Sequence, residues 1–242
     1  MPQRPHAASQ MRLTEQHVAL LEPGEAIAGT PVPPPDTAAA TTADHHATIE
    51  RLFAGHEAGE EVWFFAYGSL IWKPACEFVE LRTGLLHGWR RSFCLGWNET
   101  FRGNPAHPGL MLALDRGGSC HGALYRLPPD AVESNLIRLF EREMGWRPTP
   151  FPPRWVTVRS GERSVRALTF CVDRHSGRYV SGLSEDQIAD VLATASGPGG
   201  SMAEYLYATV SHLEQLGIRD HHLWRLQELT AARIEAAHGV LR

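Results

Sequence analysis

Residues 62–70 read VWFFAYGSL, a strand-like apolar run followed by a turn. Val62–Ala66 is an apolar run of the length of a buried strand, and it stops abruptly at Tyr67-Gly68-Ser69, a turn signal. A strand that ends in a Gly-Ser turn exposes consecutive backbone N–H groups, which can hold a carboxylate or a developing oxyanion. The segment therefore predicts a core strand followed by the loop of a candidate binding site.

The chain after this strand continues with strands first and helices last. Further strands are predicted over 82–95, 110–114, 123–127, 155–159 and 165–172, a helix over 130–143, and three helices after residue 183. Gly84 and Gly88 indicate a bent strand, and the Gly-rich residues 115–119 indicate a hairpin. This order predicts an α+β domain on a small barrel-like sheet.

The N-terminal part of the chain has a different composition. Residues 1–52 contain no Phe, Trp or Tyr, and residues 23–48 are rich in Pro, Ala and Thr without periodic apolar positions. Such a segment cannot bury enough apolar surface to offset its ordering entropy. We therefore predict a flexible tail and linker over 1–48, with one short amphipathic helix within 11–21, and a folded domain over 49–242. Deletion of residues 1–48 is expected to leave activity nearly intact.

Charge and hydropathy exclude several classes of partner. The 23 basic and 27 acidic residues give a net charge of −4, which provides no reason to expect nucleic acid or an anionic membrane as a partner. No apolar run is long enough to span a bilayer, and no basic segment followed by an apolar one opens the chain as in a secretory signal. The four cysteines form no CxxC pair, which favours reduced thiols in a cytoplasmic protein.

Familiar catalytic motifs are missing. Lys73 is the only lysine and does not follow a glycine, so the chain has no P-loop and little scope for Schiff-base chemistry. The thirteen histidines form neither H-E-x-x-H nor H-x-E with C-x-x-C, so no metal site is predicted. Ser69 lacks the G-x-S-x-G frame of a nucleophile elbow.

Glu143 is the most informative acidic residue. On the helix predicted over 130–143 it lies roughly 20° from Val132, within the apolar stripe, whereas Glu141 lies about 180° from Val132 and faces solvent. A carboxylate among apolar side chains is a stronger base than free Glu, as a general base near neutral pH requires. The alternative is a helix-end Glu that pairs with a neighbouring arginine or is exposed after the helix ends.

A second candidate segment precedes one of the C-terminal helices. Gly197-Pro198-Gly199-Gly200 is followed by Ser201, and Glu204 three positions later completes the pattern of a capping box. Glu204 is therefore predicted to be a capping partner rather than a catalyst. Tyr205, one position further on, is expected to face the interior.

These segments together resemble the ChaC family of γ-glutamylcyclotransferases. The resemblance rests on four motifs in order over about residues 49–235: Phe64–Trp72, Phe101-Arg102-Gly103 with the prolines after it, Arg142-Glu143-Met144, and Gly197–Leu206. The chain departs from the family pattern after Met144, where residues 145–148 are shortened.

The resemblance implies a small mixed β-barrel with flanking helices and an enzyme that needs neither metal nor cofactor. The implied reaction is the cleavage of glutathione to 5-oxoproline and cysteinylglycine in the cytoplasm, with Glu143 as general base. The implied substrate-binding residues are Phe65, Ala66, Tyr67, Gly68, Ser69, Leu70 and Tyr205. Two alternatives stay open at this point: a cyclotransferase for other γ-glutamyl amino acids or amines, and a non-catalytic binding or regulatory protein with the same fold.

Overall fold

The computed structural model describes residues 10–21, 36–57 and 59–239. The helices are α1 (Glu15–Ala19), α2 (Thr42–Phe53), α3 (Val132–Glu143), α4 (Glu185–Thr194), α5 (Met202–Gln215) and α6 (His221–His238). The main strands are β1 (Trp63–Ala66), β2 (Glu80–Asn98), β3 (Gly109–Arg126), β4 (Pro153–Ser160) and β5 (Arg163–Phe170). None of the helices in these ranges is both long and apolar enough to cross a membrane.

The five main strands form a closed barrel in the order β1-β3-β2-β4-β5. Strand β1 pairs antiparallel with β3 on one side and parallel with β5 on the other, so that Trp63 lies opposite Arg126 and Ala167. All the remaining pairs in the barrel are antiparallel. The predicted α+β fold on a small mixed barrel is therefore confirmed.

The inside of the barrel is filled by apolar side chains that alternate along the strands. The buried residues of this cluster are Trp63, Phe65, Leu86, Leu114, Cys120, Leu124, Val158, Ala167 and Cys171. Gly84 faces the same interior, and a Cβ there would lie 2.5 Å from Val158 Cγ1 and 2.8 Å from Leu124 Cδ1. A side chain at this position has no room, so the glycine allows the strands to approach each other.

The hairpin predicted over 115–119 is wrong. Strand β3 runs without interruption from Gly109 to Arg126, and the real connection between β2 and β3 is the loop over 99–108. Gly117 and Gly118 have positive φ and lie near the register shift between His87 and Trp89 on β2, where Gly88 also has positive φ. A β-bulge and a hairpin turn both favour glycine with positive φ, so the sequence signal was ambiguous.

Helix α3 covers the outside of the barrel with the face that its periodicity predicts. Leu136, Leu139 and Phe140 are fully buried, whereas Glu141 is exposed. The Phe140 ring lies edge-on to Phe170 of β5, with the ring centroids 6.0 Å apart. Burial of such a side chain contributes about 1.5–3 kcal/mol to folding, and this contact fixes the end of α3 over the barrel.

The N-terminal segment is more ordered than the sequence predicts. The expected short helix is α1, and next to it Leu13 is buried and its backbone N–H donates to Gln227 Oε1 at 2.8 Å. Helix α2 begins at Thr42, so the predicted boundary at residue 49 divides a helix. The predicted linker lies partly over residues 22–35, outside the described ranges, and its flexibility stays a prediction.

Helix α2 contains a histidine that reaches the end of α3. His45 is buried, its Nε2 lies 3.2 Å from the carbonyl oxygen of Met144, and its ring is edge-on to Phe140. The first half of α2 therefore supports the helix end that carries Glu143. This contact has no signal in the sequence, because residues 42–48 lack the large apolar side chains that mark a core helix.

The expectation from composition that deletion of residues 1–48 leaves activity nearly intact is therefore replaced. We expect this deletion to lower the melting temperature by at least about 5 °C, which corresponds to roughly 2 kcal/mol in a domain of this size, and to reduce turnover. The deletion removes half of α2 and the His45 contact. Thermal melting and turnover of the full chain and the truncated chain give the comparison. An unchanged melting temperature and an unchanged turnover would mean that α1 and the first half of α2 are dispensable.

A matched pair of point variants isolates the buried contact from the loss of chain. His45→Ala should destabilise the protein, whereas His46→Ala should not, because the His46 side chain is 48% exposed and pairs with Glu133 at the surface. Equal melting temperatures for the two variants would contradict this role of His45.

Candidate active site

The loop after β1 is shaped by what packs against it. Strand β1 ends at Ala66, and a short 3-10 turn follows over Ser69–Ile71. A Cβ on Gly68 would lie 3.0 Å from the hydroxyl oxygen of Tyr205 and 3.6 Å from Leu112 Cδ2. The Gly68 backbone is therefore in close contact with the Tyr205 phenol, and two of the predicted substrate-binding residues are brought together.

A buried arginine fixes the start of this loop. Arg91 of β2 donates from Nε to the Tyr67 carbonyl oxygen at 2.6 Å and also donates to the His121 carbonyl of β3. Its charge is balanced by Asp220, 2.8 Å away, which also caps α6 by accepting from the Leu223 backbone N–H. Because the Arg91 side chain is only 1% exposed, these partners hold it in one position.

Glu143 is the last residue of α3, and its side chain is 21% exposed. Burial raises the pKa of this carboxyl group above its ordinary value, and the adjacent Arg142 opposes the rise only in part. Burial is also the main reason why the pKa values of Tyr67 and Tyr205 are raised, and the charge of Glu143 raises both further. The carboxylate and the two phenols therefore form one electrostatic cluster at this end of the barrel.

Arg142 connects the end of α3 to the loop after β1. Its guanidinium donates to Ser69 Oγ at 3.2 Å and to the carbonyl oxygen of Lys73. Its Nε also lies 3.3 Å from Glu143 Oε1. One arginine thus holds both the loop and the candidate base. Glu143 is therefore paired with a neighbouring arginine and at the same time largely removed from solvent.

Glu204 does not complete a capping box, contrary to the prediction. Ser201 does cap α5, because its hydroxyl accepts from the Glu204 backbone N–H at 3.1 Å. The Glu204 carboxylate instead accepts from Arg102 at 3.0 Å. Arg102 is buried, also donates to the Ser201 carbonyl at 2.8 Å, and lies with its guanidinium 5.3 Å from the centroid of the Tyr205 ring. The ion pair therefore supports the position of Tyr205.

The glycines before α5 allow the loop over 99–108 to pack closely. A Cβ on Gly200 would lie 1.9 Å from Glu204 Oε2, so a side chain there would displace the ion pair. The Gly199 backbone N–H donates to the Phe101 carbonyl at 2.7 Å, and a Cβ on Gly197 would meet that same carbonyl at 2.5 Å. Two motifs that are far apart in the sequence thus form one wall beside Tyr205.

Not every predicted substrate-binding residue presents its side chain to a ligand. Phe65 and Ala66 are fully buried, Phe65 in the barrel interior and Ala66 in the core under the helices. Leu70 is 6% exposed and belongs to the same outer core. For these three residues the structure assigns the side chains to packing, so only their backbone can face a substrate. Tyr67 and Ser69 are partly exposed at the loop.

Several residues of the site have weak sequence signals. Arg91 and Arg102 are isolated arginines whose partners, Asp220 and Glu204, lie more than 100 residues away.

Within the described ranges no group of three or more His, Cys, Asp or Glu side chains is arranged to hold a metal ion. The site therefore offers a carboxylate of raised pKa, two protonated phenols and a glycine-containing loop, which suits proton transfer and the stabilisation of a developing oxyanion.

The barrel with this loop and carboxylate at one end is a γ-glutamylcyclotransferase fold. A crystal structure of a γ-glutamyl cyclotransferase specific to glutathione from yeast aligns with a TM-score of 0.65 at 22% identity, covering 72% of this chain and 97% of that one. The Escherichia coli K12 protein named glutathione-specific γ-glutamylcyclotransferase is 42% identical over 163 residues, or 67% of this chain and 69% of that protein.

More distant relatives extend the same match. The human protein named glutathione-specific γ-glutamylcyclotransferase 1 is 28% identical over 174 residues, which cover 68% of this chain and 76% of that protein. The family model described as ChaC-like protein matches residues 62–233. The chain belongs to the ChaC-like family, as its sequence motifs predict.

We expect Glu143→Gln to be more stable than the wild type at neutral pH. Because the pKa of Glu143 is raised in the folded state, its ionisation lowers the free energy of unfolding at pH values above the ordinary Glu value of about 4.3. The advantage of the variant should shrink as the pH falls from the raised value toward the ordinary one. Melting temperatures across this pH range measure the difference.

The exposed Glu141→Gln serves as the control, because its melting temperature should follow that of the wild type. A Glu143→Gln variant that is less stable than the wild type at neutral pH would show that the pairing with Arg142 outweighs burial.

Proposed function

We propose that the protein cleaves glutathione to 5-oxoproline and cysteinylglycine. The observation that carries the proposal is the position of the Glu143 carboxylate, largely buried at the end of α3 and joined through Arg142 to Ser69 in the loop after β1. Membership of the ChaC-like family, whose E. coli relative is named as glutathione-specific, supports glutathione as the substrate.

In the proposed reaction the substrate supplies its own nucleophile. The α-amine of the γ-glutamyl group attacks the γ-carbonyl carbon, a C–N bond forms to close a five-membered ring, and the C–N bond to the cysteine breaks. Holding the two groups in a reactive geometry can lower the barrier by about 7–11 kcal/mol. The loop over Tyr67–Ile71, fixed by Arg91 and Arg142, is the element that would orient the γ-glutamyl group.

Glu143 would act as both base and acid. It accepts the proton that the α-amine must lose and later delivers a proton to the leaving nitrogen of cysteinylglycine. A carboxyl group whose pKa is raised toward neutral performs both transfers better than an ordinary one. No second side chain is needed for proton balance, because the proton lost by the amine is the one gained by the leaving group.

Tyr67 and Tyr205 would serve as hydrogen-bond donors. Their pKa values are raised by burial and by Glu143, so both phenols stay protonated at neutral pH. A protonated phenol can donate to the oxyanion that forms on the γ-carbonyl or to the α-carboxylate of the substrate. The backbone of Gly68 lies beside Tyr205 and, together with that of Ser69, would complete the binding site.

We further propose that the enzyme works in the cytoplasm without a metal or cofactor. The four cysteines are free thiols, and the cytosol is the compartment where glutathione keeps thiols reduced. Internal cyclisation does not require a Lewis acid, because the nucleophile and the carbonyl belong to one molecule.

We expect Glu143→Gln to lower kcat for glutathione by at least ~100-fold, the usual contribution of general acid–base catalysis. KM should change little, because Gln keeps the shape of the side chain while proton transfer is lost. Steady-state release of cysteinylglycine measures both constants, and the same assay on other γ-glutamyl amino acids and amines tests the choice of substrate.

Glu141→Gln is the matched control, because Glu141 lies on the same helix but is exposed. Wild-type turnover by a folded Glu143→Gln protein would rule out Glu143 as the base. If Glu204→Gln were folded but inactive while Glu143→Gln kept its turnover, Glu204 and not Glu143 would be the catalytic carboxylate.

We also expect turnover to be insensitive to metal removal. Prolonged dialysis against EDTA should leave kcat unchanged, since proton transfer by Glu143 carries the reaction. Loss of activity that added Zn²⁺ or Mn²⁺ restores would require a different mechanism.

A further inference from the structure

A slot opens in the barrel wall where two strands separate. Strand β4 pairs with β5 along all eight of its residues but with β2 only at Leu85–Arg159 and Leu86–Val158. Beyond these pairs the strands diverge and leave a cavity of about 510 Å³. The cavity is lined by Leu86, His87, Trp89, Arg154, Trp155, Val156 and Thr157.

Arg154 lies on the inner side of this slot. Arg154 lies opposite Thr169 on β5. Two positions further along β4, Val156 lies opposite Ala167, which belongs to the barrel interior. Because side chains alternate along a strand, Arg154 and Val156 share a face. The exposed Arg154 makes no hydrogen bond or ion pair within the part of the chain that the structure describes.

The register of the strands places Arg154 at the same end of the barrel as the loop after β1. In the parallel pair Phe64 lies opposite Leu168, so continuing this register puts Tyr67 beside Cys171. The Cys171 backbone N–H donates to the Pro152 carbonyl, next to the start of β4. Burial raises the pKa of Cys171 to about 12, while the nearby Arg154 charge opposes the rise. Tyr67, Cys171 and Arg154 therefore follow one another across three adjacent strands.

The spacing of the strands matches the length of the substrate. Strand β5 lies between β1 and β4, so two inter-strand distances of about 4.8 Å each, roughly 10 Å in total, separate these strands. An extended cysteinylglycine spans about 7 Å at 3.3–3.6 Å per residue, and the long Arg154 side chain covers the rest. A glutathione whose γ-glutamyl group lies at the Tyr67 loop thus brings its glycine carboxylate within reach of Arg154.

We propose that Arg154, at the β4 edge of the slot, binds the glycine carboxylate of glutathione, and that the cysteinylglycine half of the substrate extends from the loop after β1 across β5 to this arginine. This inference rests on the proposed function and adds to it the residue that recognises the far end of the substrate. The other arginines described at the site have acidic partners in the chain: Arg91 pairs with Asp220, Arg102 with Glu204 and Arg142 with Glu143. Arg154 is a cation that the chain leaves available for a ligand.

The test removes the charge either from Arg154 or from the glycine carboxylate of the substrate. Arg154→Gln should lower kcat/KM for glutathione about ten- to a hundred-fold, the range of a charge-assisted hydrogen bond, mainly through KM. The glycine ethyl ester of glutathione lacks the carboxylate charge, so wild type and variant should process it at similar rates. Arg159→Gln is the control, because Arg159 is an exposed arginine on the outer face of the same strand.

An equal loss on glutathione and its ester, or no loss on either, would overturn the proposal. A wild-type protein that releases no cysteinylglycine would refute the proposed function instead. Calorimetric binding of glutathione and its ester to Glu143→Gln, with and without Arg154→Gln, needs no turnover. It should show the same selective ten- to hundred-fold loss, and equal affinities with and without Arg154 would refute the site.

Discussion

The buried guanidinium of Arg91 holds three parts of the site together. It joins the end of β1, strand β3 and the cap of α6 through the carbonyls of Tyr67 and His121 and the carboxylate of Asp220. Removing one partner of a buried ion pair usually costs about 3–5 kcal/mol, because the other charge is left without compensation. The loop that follows β1 therefore starts from a fixed point, and its geometry can be held without a bound ligand.

Periodicity predicted the part of the site that local sequence determines. The apolar stripe of α3 predicts Glu143 toward the interior and Glu141 toward solvent; in the structure Glu141 is exposed and Glu143 is partly buried, with 21% of its side chain exposed. The turn signal after Ala66 likewise marked the loop. Such features depend on residues within one helix or one strand end, and the 3.6-residue and 2-residue periods report them directly.

Features that depend on distant residues could not be predicted in this way. The Arg102–Glu204 ion pair, the contact of His45 with Met144 and the slot beside Arg154 each join segments far apart in the chain. The error at 115–119 has a different cause, because glycines with positive φ serve both bulges and hairpins. In the same way, Ser201 and Glu204 fit a capping box by spacing, but the tertiary pairing of Glu204 with Arg102 prevails.

In the proposed reaction the α-amine of glutathione, with a proton taken up by Glu143, attacks its own γ-carbonyl. Turnover of glutathione in water enriched in ¹⁸O, followed by mass spectrometry of the products, tests it most directly. Internal attack predicts unlabelled 5-oxoproline and cysteinylglycine in equal amounts, without free glutamate. Glutamate that carries ¹⁸O in its γ-carboxylate would mean that water is the nucleophile, and it would contradict the cyclisation.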